Sequence, residues 1–172
     1  MSRIKLPSNT VGVMAKSYGV YGAGAWGTAL AVHLAKQGHS VILFARDINQ
    51  VGAINSTRRN PKIFKDIILP ENIFATSEFN ALETVDRCLV SVSSTVALEA
   101  ANRLLRETSA KIIMTTKGLD KETCQPFSKM ITEADRYFLL SGPSFADEVI
   151  AGLPTAVTLS STNVEELSVI SK

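Results

Sequence analysis

The sequence predicts an α/β fold, a doubly wound and mostly parallel sheet with helices on both faces. Two observations carry that expectation. Short apolar runs alternate with helical patterns along nearly the whole chain, from Ser17 to beyond Val164. The first of those runs leads directly into Gly22, Gly24 and Gly27, in the spacing G-x-G-x-x-G. Strand, glycine turn and helix together are the context of a dinucleotide-binding, Rossmann-type sheet. Gly22 allows the tight turn, Gly24 lets the backbone approach a pyrophosphate, and Gly27 lets the helix pack on its strand. The N–H groups at the helix start then face the phosphates. A glycine-rich turn of purely structural use is the competing reading.

Taken in order, Ser17–Tyr21 is a short apolar strand. Ala25 to Gln37 is a helix with Leu30 and Leu34 on one face, and Gly38 is placed to close it. Ser40–Phe44, with four apolar residues after Ser40, is apolar enough to be buried on both faces as parallel strands are. Asp47 caps a helix running through Ser56, and a basic loop broken by Pro61 follows from Thr57 to Lys65. Ile67–Leu69 and Ile73–Thr76 read as extended pieces, and Phe79–Val85 as a short helix. Arg87–Val92 is the next strand, with Ser94 and Thr95 offering caps for a helix to Glu107. Ala97, Ala101, Leu104 and Leu105 form its inner face. Lys111–Thr115 is a strand, Phe127–Ala134 a helix, and Tyr137–Ser141 a strand. Gly142–Ala146 opens a short helix, Thr155–Ser160 is a last strand, and a helix begins at Val164.

The chain has 172 residues, which fits one domain. Residues 1–16 read as a loose leader and 17–172 as the folded domain, and Met14 competes with Met1 as the natural start. A net charge of +2 is too small to argue for nucleic acid or an anionic membrane. Pro7 to Thr10 interrupt any signal-like apolar run, and nothing approaches the ~20 residues of a membrane span, so a cytoplasmic location is expected. Cys88 and Cys124 form neither a disulfide framework nor a metal spacing and are expected to be buried or half-buried; no metal is expected. His33 and His39 lie away from the carboxyl strand ends and are assigned structural roles.

Ligands of such sheets sit beyond the carboxyl ends of the strands. Trp26, after the first strand, is either a hydrophobic plug or a wall against the cofactor. Arg46 follows the second strand, with Asp47 one residue later, where NAD-preferring folds carry an acid for the ribose 2′-OH. A guanidinium there suits a 2′-phosphate, which favours NADP over NAD. The alternative leaves Arg46 stacked or solvated and Asp47 as a cap. Ser93 after the fourth strand either approaches the cofactor or caps a helix. Lys117 and Gly118 follow the fifth strand, placing a cation where an anion or carbonyl can sit, although a loop lysine is ordinarily only solvated. After the sixth, Ser144 and Asp147 fit the capping-box pattern; a capped helix start is also an anion site, and Gly142 leaves room for a ligand.

Gly22-Ala-Gly-Ala-Trp-Gly-Thr28, Arg58-Arg-Asn-Pro61, Thr116-Lys-Gly-Leu119, Leu140-Ser-Gly-Pro-Ser-Phe-Ala146 and Gly152-Leu-Pro-Thr155 resemble the bacterial NAD(P)-dependent glycerol-3-phosphate dehydrogenases in order and spacing. The resemblance implies interconversion of dihydroxyacetone phosphate and sn-glycerol 3-phosphate, feeding phospholipid synthesis. It implies cofactor contacts at Ala25, Trp26, Arg46, Lys117 and Ala146, and substrate contacts at Lys117, Gly142 and Ser144. Two stretches depart from the family: Ser93 stands in place of a usual proline, and Ile63-Phe-Lys-Asp66 in place of Tyr-Leu-Pro-Gly.

Family members continue into a helical domain that carries the proton-transferring lysine and further phosphate contacts. That lysine is expected beyond Lys172, the chain is expected to be a truncated cofactor half, and Lys117 is not promoted to its role. Three readings follow: the cofactor half of a dehydrogenase, inactive alone; a complete enzyme with a reduced site or a separate partner half; and a non-catalytic, redox-sensing dinucleotide module. A bare half is expected to expose apolar surface and to associate, a homo-oligomer being one outcome.

Overall fold

Seven strands among the described residues form one sheet in the order β3-β2-β1-β4-β5-β6-β7. The computed structural model describes residues 15–170. Most of the expected leader, and the choice between Met1 and Met14, lie outside the described residues. The elements run β1 (Ser17–Tyr21), α1 (Ala25–Lys36), β2 (Ser40–Phe44), α2 (Ile48–Thr57), β3 (Ile73–Thr76), β4 (Arg87–Val90), α3 (Ser94–Glu107), β5 (Lys111–Met114), β6 (Tyr137–Ser141), α4 (Ala146–Ala151), β7 (Thr158–Ser160) and α5 (Val164–Ile170). The first six strands are parallel, and the order reverses between β1 and β4. The loops after β1 and β4 therefore part around a crevice at the carboxyl edge.

Alternation along each strand builds two cores. Leu89 and Ile113 face α1 and α2, packing with Val20, Leu43, Ile54 and Phe138. Cys88, Val90, Ile112 and Met114 face α3, against Ala97, Ala101, Leu104 and Leu105. The four residues expected on the inner face of α3 are all buried.

Several expectations are corrected. The last strand spans only Thr158–Ser160 and runs antiparallel to β6. The preceding α4 has only six residues, about 9 Å at ~1.5 Å per residue, and turns at Gly152 in the left-handed conformation. The chain re-enters the sheet from the carboxyl end of β6. The helix expected over Phe127–Ala134 is two single 3-10 turns, Phe127–Lys129 and Ala134–Arg136, separated by the β-branched pair Ile131–Thr132. β4 and β5 stop at Val90 and Met114, short of the expected Val92 and Thr115. Beyond them the Thr116 hydroxyl takes over, donating to the Val92 carbonyl at 2.9 Å and accepting from its N–H at 3.3 Å. Ile67–Leu69 joins no strand: Leu69 N–H donates to the Arg58 carbonyl at 2.8 Å. Cys124 is exposed in a turn closed by Asp120, while Cys88 is buried and its thiol is pushed up to about 12 by burial.

His39 is structural, as expected. Its Nδ1 accepts from the Lys16 N–H at 3.4 Å, and its ring lies 4.9 Å from that of Tyr18. Partial burial lowers its pKa, and Arg87 and Lys16 push the same way. The unfolded chain thus takes up this proton at a higher pH than the folded one. The contribution of the neutral ring is full above about pH 6.5 and is lost as pH falls from there through the lower folded pKa. His39→Gln should flatten that part of a stability–pH curve measured by urea unfolding; an unchanged slope would refute the assignment.

Candidate functional site

The glycine loop has the geometry its spacing demands. Gly22 has φ +120°, and a Cβ there would lie 2.3 Å from the Ser91 carbonyl oxygen. A Cβ on Gly27 would lie 1.9 Å from the Gly22 oxygen, so the start of α1 touches the turn itself. A Cβ on Gly24 would meet nothing within 4 Å, because it faces the open crevice. Gly24 is also the N-cap of α1, without a side-chain cap and with no acid in the first turn. The orphan N–H groups of that turn are thus left to an external acceptor.

A cavity of about 780 Å³ runs from this loop past the end of β2 to α3, bordered by Gly22, Gly24, Arg46, Asp47, Lys62 and Arg103. Its far wall is aromatic, with Tyr21 stacked on Phe44 at 4.5 Å. The Arg103 guanidinium sits 3.7 Å over the Phe79 ring. Arg46 is exposed on this wall and, among the described residues, makes no ion pair or hydrogen bond. Asp47 does cap α2, its Oδ1 accepting from Asn49 N–H at 2.9 Å and Gln50 N–H at 3.4 Å. Its Oδ2 lies 2.7 Å from Lys62 Nζ. That bond, with the two cap bonds, holds the Asp47 carboxyl below the usual carboxylate range.

A second cavity, of about 370 Å³, adjoins the other end of the loop, lined by Ala25, Trp26, Ser93, Lys117, Ser144 and Ala146. Lys117 Nζ donates to the Ser144 carbonyl at 3.2 Å, spanning from the end of β5 to the entry of α4. The fold therefore brings Ala25, Trp26, Lys117, Ser144 and Ala146 to one cleft. Arg46 stands at the far end of the larger cavity. Gly142 lines a third space, of about 280 Å³, on the other side of Lys117. Trp26 packs on the α1 core and lines both cavities, and its Nε1 is buried without a partner.

Two local readings change. Ser94 and Thr95 lie inside α3, whose N-cap is Ser93; the Ser93 hydroxyl is 2.8 Å from that of Thr95 and bonds no helix N–H. Ser144 caps nothing either, because α4 starts later, at Ala146 with Phe145 as N-cap, and the Ser144 hydroxyl donates back to the Gly142 carbonyl. At Gly142 a Cβ would lie 2.9 Å from the Ala156 oxygen, so glycine there lets the segment before β7 pack close, while the residue still lines the space beside Lys117.

Sequence reading of single residues missed the pair beneath the loop. Asn60 is fully buried; its Nδ2 donates to the Ala23 carbonyl at 3.0 Å and to the Thr28 hydroxyl at 2.9 Å. Gln50 Nε2 donates to the same carbonyl and to Asn60 Oδ1, both at 2.9 Å. Arg58 instead ties its own loop, donating to the Ile73 carbonyl at 2.9 Å and to that of Pro70. The Arg58-Arg-Asn-Pro61 stretch was the available signal, but nothing local says that its asparagine reaches Ala23.

Comparison with known proteins bears on this geometry. The family model described as NAD-dependent glycerol-3-phosphate dehydrogenase N-terminus matches residues 17–167. The chain belongs to that family. A relative named glycerol-3-phosphate dehydrogenase [NAD(P)+] from Thermoanaerobacter sp. is 36% identical over 156 residues, covering 88% of this chain and 47% of its own length. One of the same name from Brucella canis is 40% identical over 152 residues, covering 85% and 47%. The chain thus spans about half the length of the curated relatives it matches. The crystal structure of glycerol-3-phosphate dehydrogenase from Coxiella burnetii superposes with a TM-score of 0.80 at 31% identity, covering 91% of this chain and 50% of that one. The Plasmodium falciparum glycerol-3-phosphate dehydrogenase shares the fold, with a TM-score of 0.74 at 21% identity over 92% and 49%. An uncapped helix start and an open Gly24 are features that the dinucleotide of a glycerol-3-phosphate dehydrogenase would fit.

Proposed function

We propose that residues 17–172 form the cofactor-binding unit of an NAD(P)-dependent glycerol-3-phosphate dehydrogenase acting in the cytoplasm and supplying phospholipid synthesis. The observation that carries the reading is the Lys117–Ser144 bridge at 3.2 Å across the cleft next to the glycine loop. When bound, the nicotinamide supplies the hydride for the carbonyl carbon of dihydroxyacetone phosphate. Gly22, Gly24 and Gly27, with the uncapped start of α1, hold the pyrophosphate, and Arg46 meets a 2′-phosphate, favouring NADP. Ala25, Trp26 and Ala146 wall the nicotinamide end. Lys117 retains free N–H donors beyond its bond to Ser144, enough to receive a substrate oxygen and to oppose charge developing on it. Gly142 and Ser144 position the substrate beside it. Lys117 is a binding and electrostatic group; the proton is assigned to a lysine of the family's helical half.

Among the described residues no helix is long and apolar enough to cross a membrane. An apolar groove of about 680 Å³, lined by Trp26, Leu30, Leu34, Leu140, Val149 and Leu159, is the surface on which we expect association; a monomer by light scattering would count against it.

The test is titration with NADPH and NADH, followed by dihydroxyacetone phosphate on the cofactor-loaded chain. Lys117→Ala should weaken dihydroxyacetone phosphate at least about tenfold, as loss of a charge-assisted contact does. A substrate affinity indifferent to this substitution would leave a non-catalytic dinucleotide module; failure of both cofactors to bind would end both readings.

A further inference from the structure

The cofactor choice of this site turns on a residue in the loop between α2 and β3. Asp47 stands one position past Arg46 at the carboxyl end of β2, in the region where an acid ordinarily receives the ribose 2′-hydroxyl of NAD. A free carboxylate there would also oppose the dianionic 2′-phosphate of NADP. In this fold neither Asp47 oxygen is free: Oδ1 is engaged by the Asn49 and Gln50 N–H groups, and Oδ2 by Lys62 Nζ at 2.7 Å. Lys62 is not casually placed. Its own N–H donates to Asn60 Oδ1 at 3.2 Å, the same buried asparagine that grips the glycine loop at Ala23. Asp47 and Lys62 are both partly exposed, with side-chain exposures of 37% and 55%, so their pairing contributes little to stability. Its effect falls instead on the charge lining the cavity, next to the unpaired Arg46.

We propose that Lys62 is a specificity-determining positioning residue: by pairing with Asp47 it withdraws that carboxylate from the adenosine ribose and leaves Arg46 to receive a 2′-phosphate. This rests on the cofactor reading above. Breaking the pair returns an anionic acceptor to the cavity, disfavouring the phosphorylated ribose and favouring the plain one.

The experiment measures Kd for NADPH and NADH, by quenching of the sole tryptophan, Trp26, in the natural chain, Lys62→Met, Asp47→Asn and the double variant. Asparagine remains a good N-cap, so Asp47→Asn keeps α2. The ratio of the two affinities, read on one sample, is insensitive to small changes in folded fraction. Lys62→Met should lower the NADPH preference about tenfold, the size expected for exposing one like charge near a phosphate. In the Asp47→Asn background the same substitution should change the ratio less than about twofold, because the carboxylate it unmasks is gone. An equal loss in both backgrounds would make Lys62 a direct phosphate contact and overturn the proposal. A ratio unmoved by Lys62→Met, with both cofactors bound, overturns it while leaving the cofactor reading intact. A natural chain that binds neither cofactor overturns both.

Discussion

Gly27→Ala should destabilise the protein by about 3 kcal/mol, the range of an overpacked backbone contact, and abolish dinucleotide binding. Within a helix the same change ordinarily stabilises by about 1 kcal/mol, because glycine carries the larger entropy cost. Here the sign reverses. The new Cβ would lie 1.9 Å from the Gly22 carbonyl oxygen, which belongs to backbone and cannot swing aside. Relief requires moving α1 off the turn, which moves the N–H groups that would face a pyrophosphate. Two glycines provide internal controls. A Cβ on Gly52, in α2, meets nothing within 4 Å, so Gly52→Ala should stabilise by the usual ~1 kcal/mol. Gly24 is equally open but faces the crevice, so Gly24→Ala should keep its unfolding midpoint and lose cofactor affinity. Urea unfolding and NADPH titration of the three variants check the pattern; a Gly27→Ala protein as stable as Gly52→Ala would contradict it.

Asn60→Ala should be nearly as damaging, costing about 3 kcal/mol by leaving buried groups without partners. The Thr28 hydroxyl loses its donor, Gln50 Nε2 loses an acceptor, and the Ala23 carbonyl keeps only one of two donors. Ala23 lies between Gly22 and Gly24, so the loss also frees the loop, and the surviving folded protein should bind NADPH about tenfold more weakly, as misplacement of a preorganised site does. Arg59→Ala is the comparison, since it removes only a bond to the Lys65 carbonyl at 3.0 Å. It should stay within about 0.5 kcal/mol of the natural chain. Equal unfolding midpoints for the two variants would refute the clamp.

Local pattern was a good guide wherever structure depends on near neighbours. The strands at Ser17–Tyr21, Ser40–Phe44, Ile73–Thr76 and Tyr137–Ser141 have the expected bounds, and Asp47 caps the helix it precedes. Capping was legible only where the helix began where expected: one residue separates Ser94 from the true N-cap of α3, and that offset voids the reading of its hydroxyl. At α4 the same kind of offset puts Phe145, rather than Ser144, at the cap. The strand-end rule singled out Arg46, Lys117 and Ser144 without knowing which strands are adjacent, and the fold sets all three along the cavities at the carboxyl edge. It did not find Asn60 or Lys62, which lie in no element and at no strand end.

By itself the sequence determined the alternation of strands and helices, the turn at Gly22 and the open approach at Gly24, because backbone sterics and the spacing of apolar residues act over a few positions. It also carried the family, through motifs whose order survives along the chain. Only the tertiary structure decided that β7 runs antiparallel, that the backbone of Ala156 and Val157 packs close against Gly142, that Lys117 reaches the Ser144 carbonyl, that Asn60 holds Ala23 across 37 residues, and that Lys62 covers Asp47. Those contacts join segments that share no local periodicity. Their partners are chosen by the stacking of strands in the sheet and by the need of buried polar groups for hydrogen bonds, and both are settled only when the chain is packed.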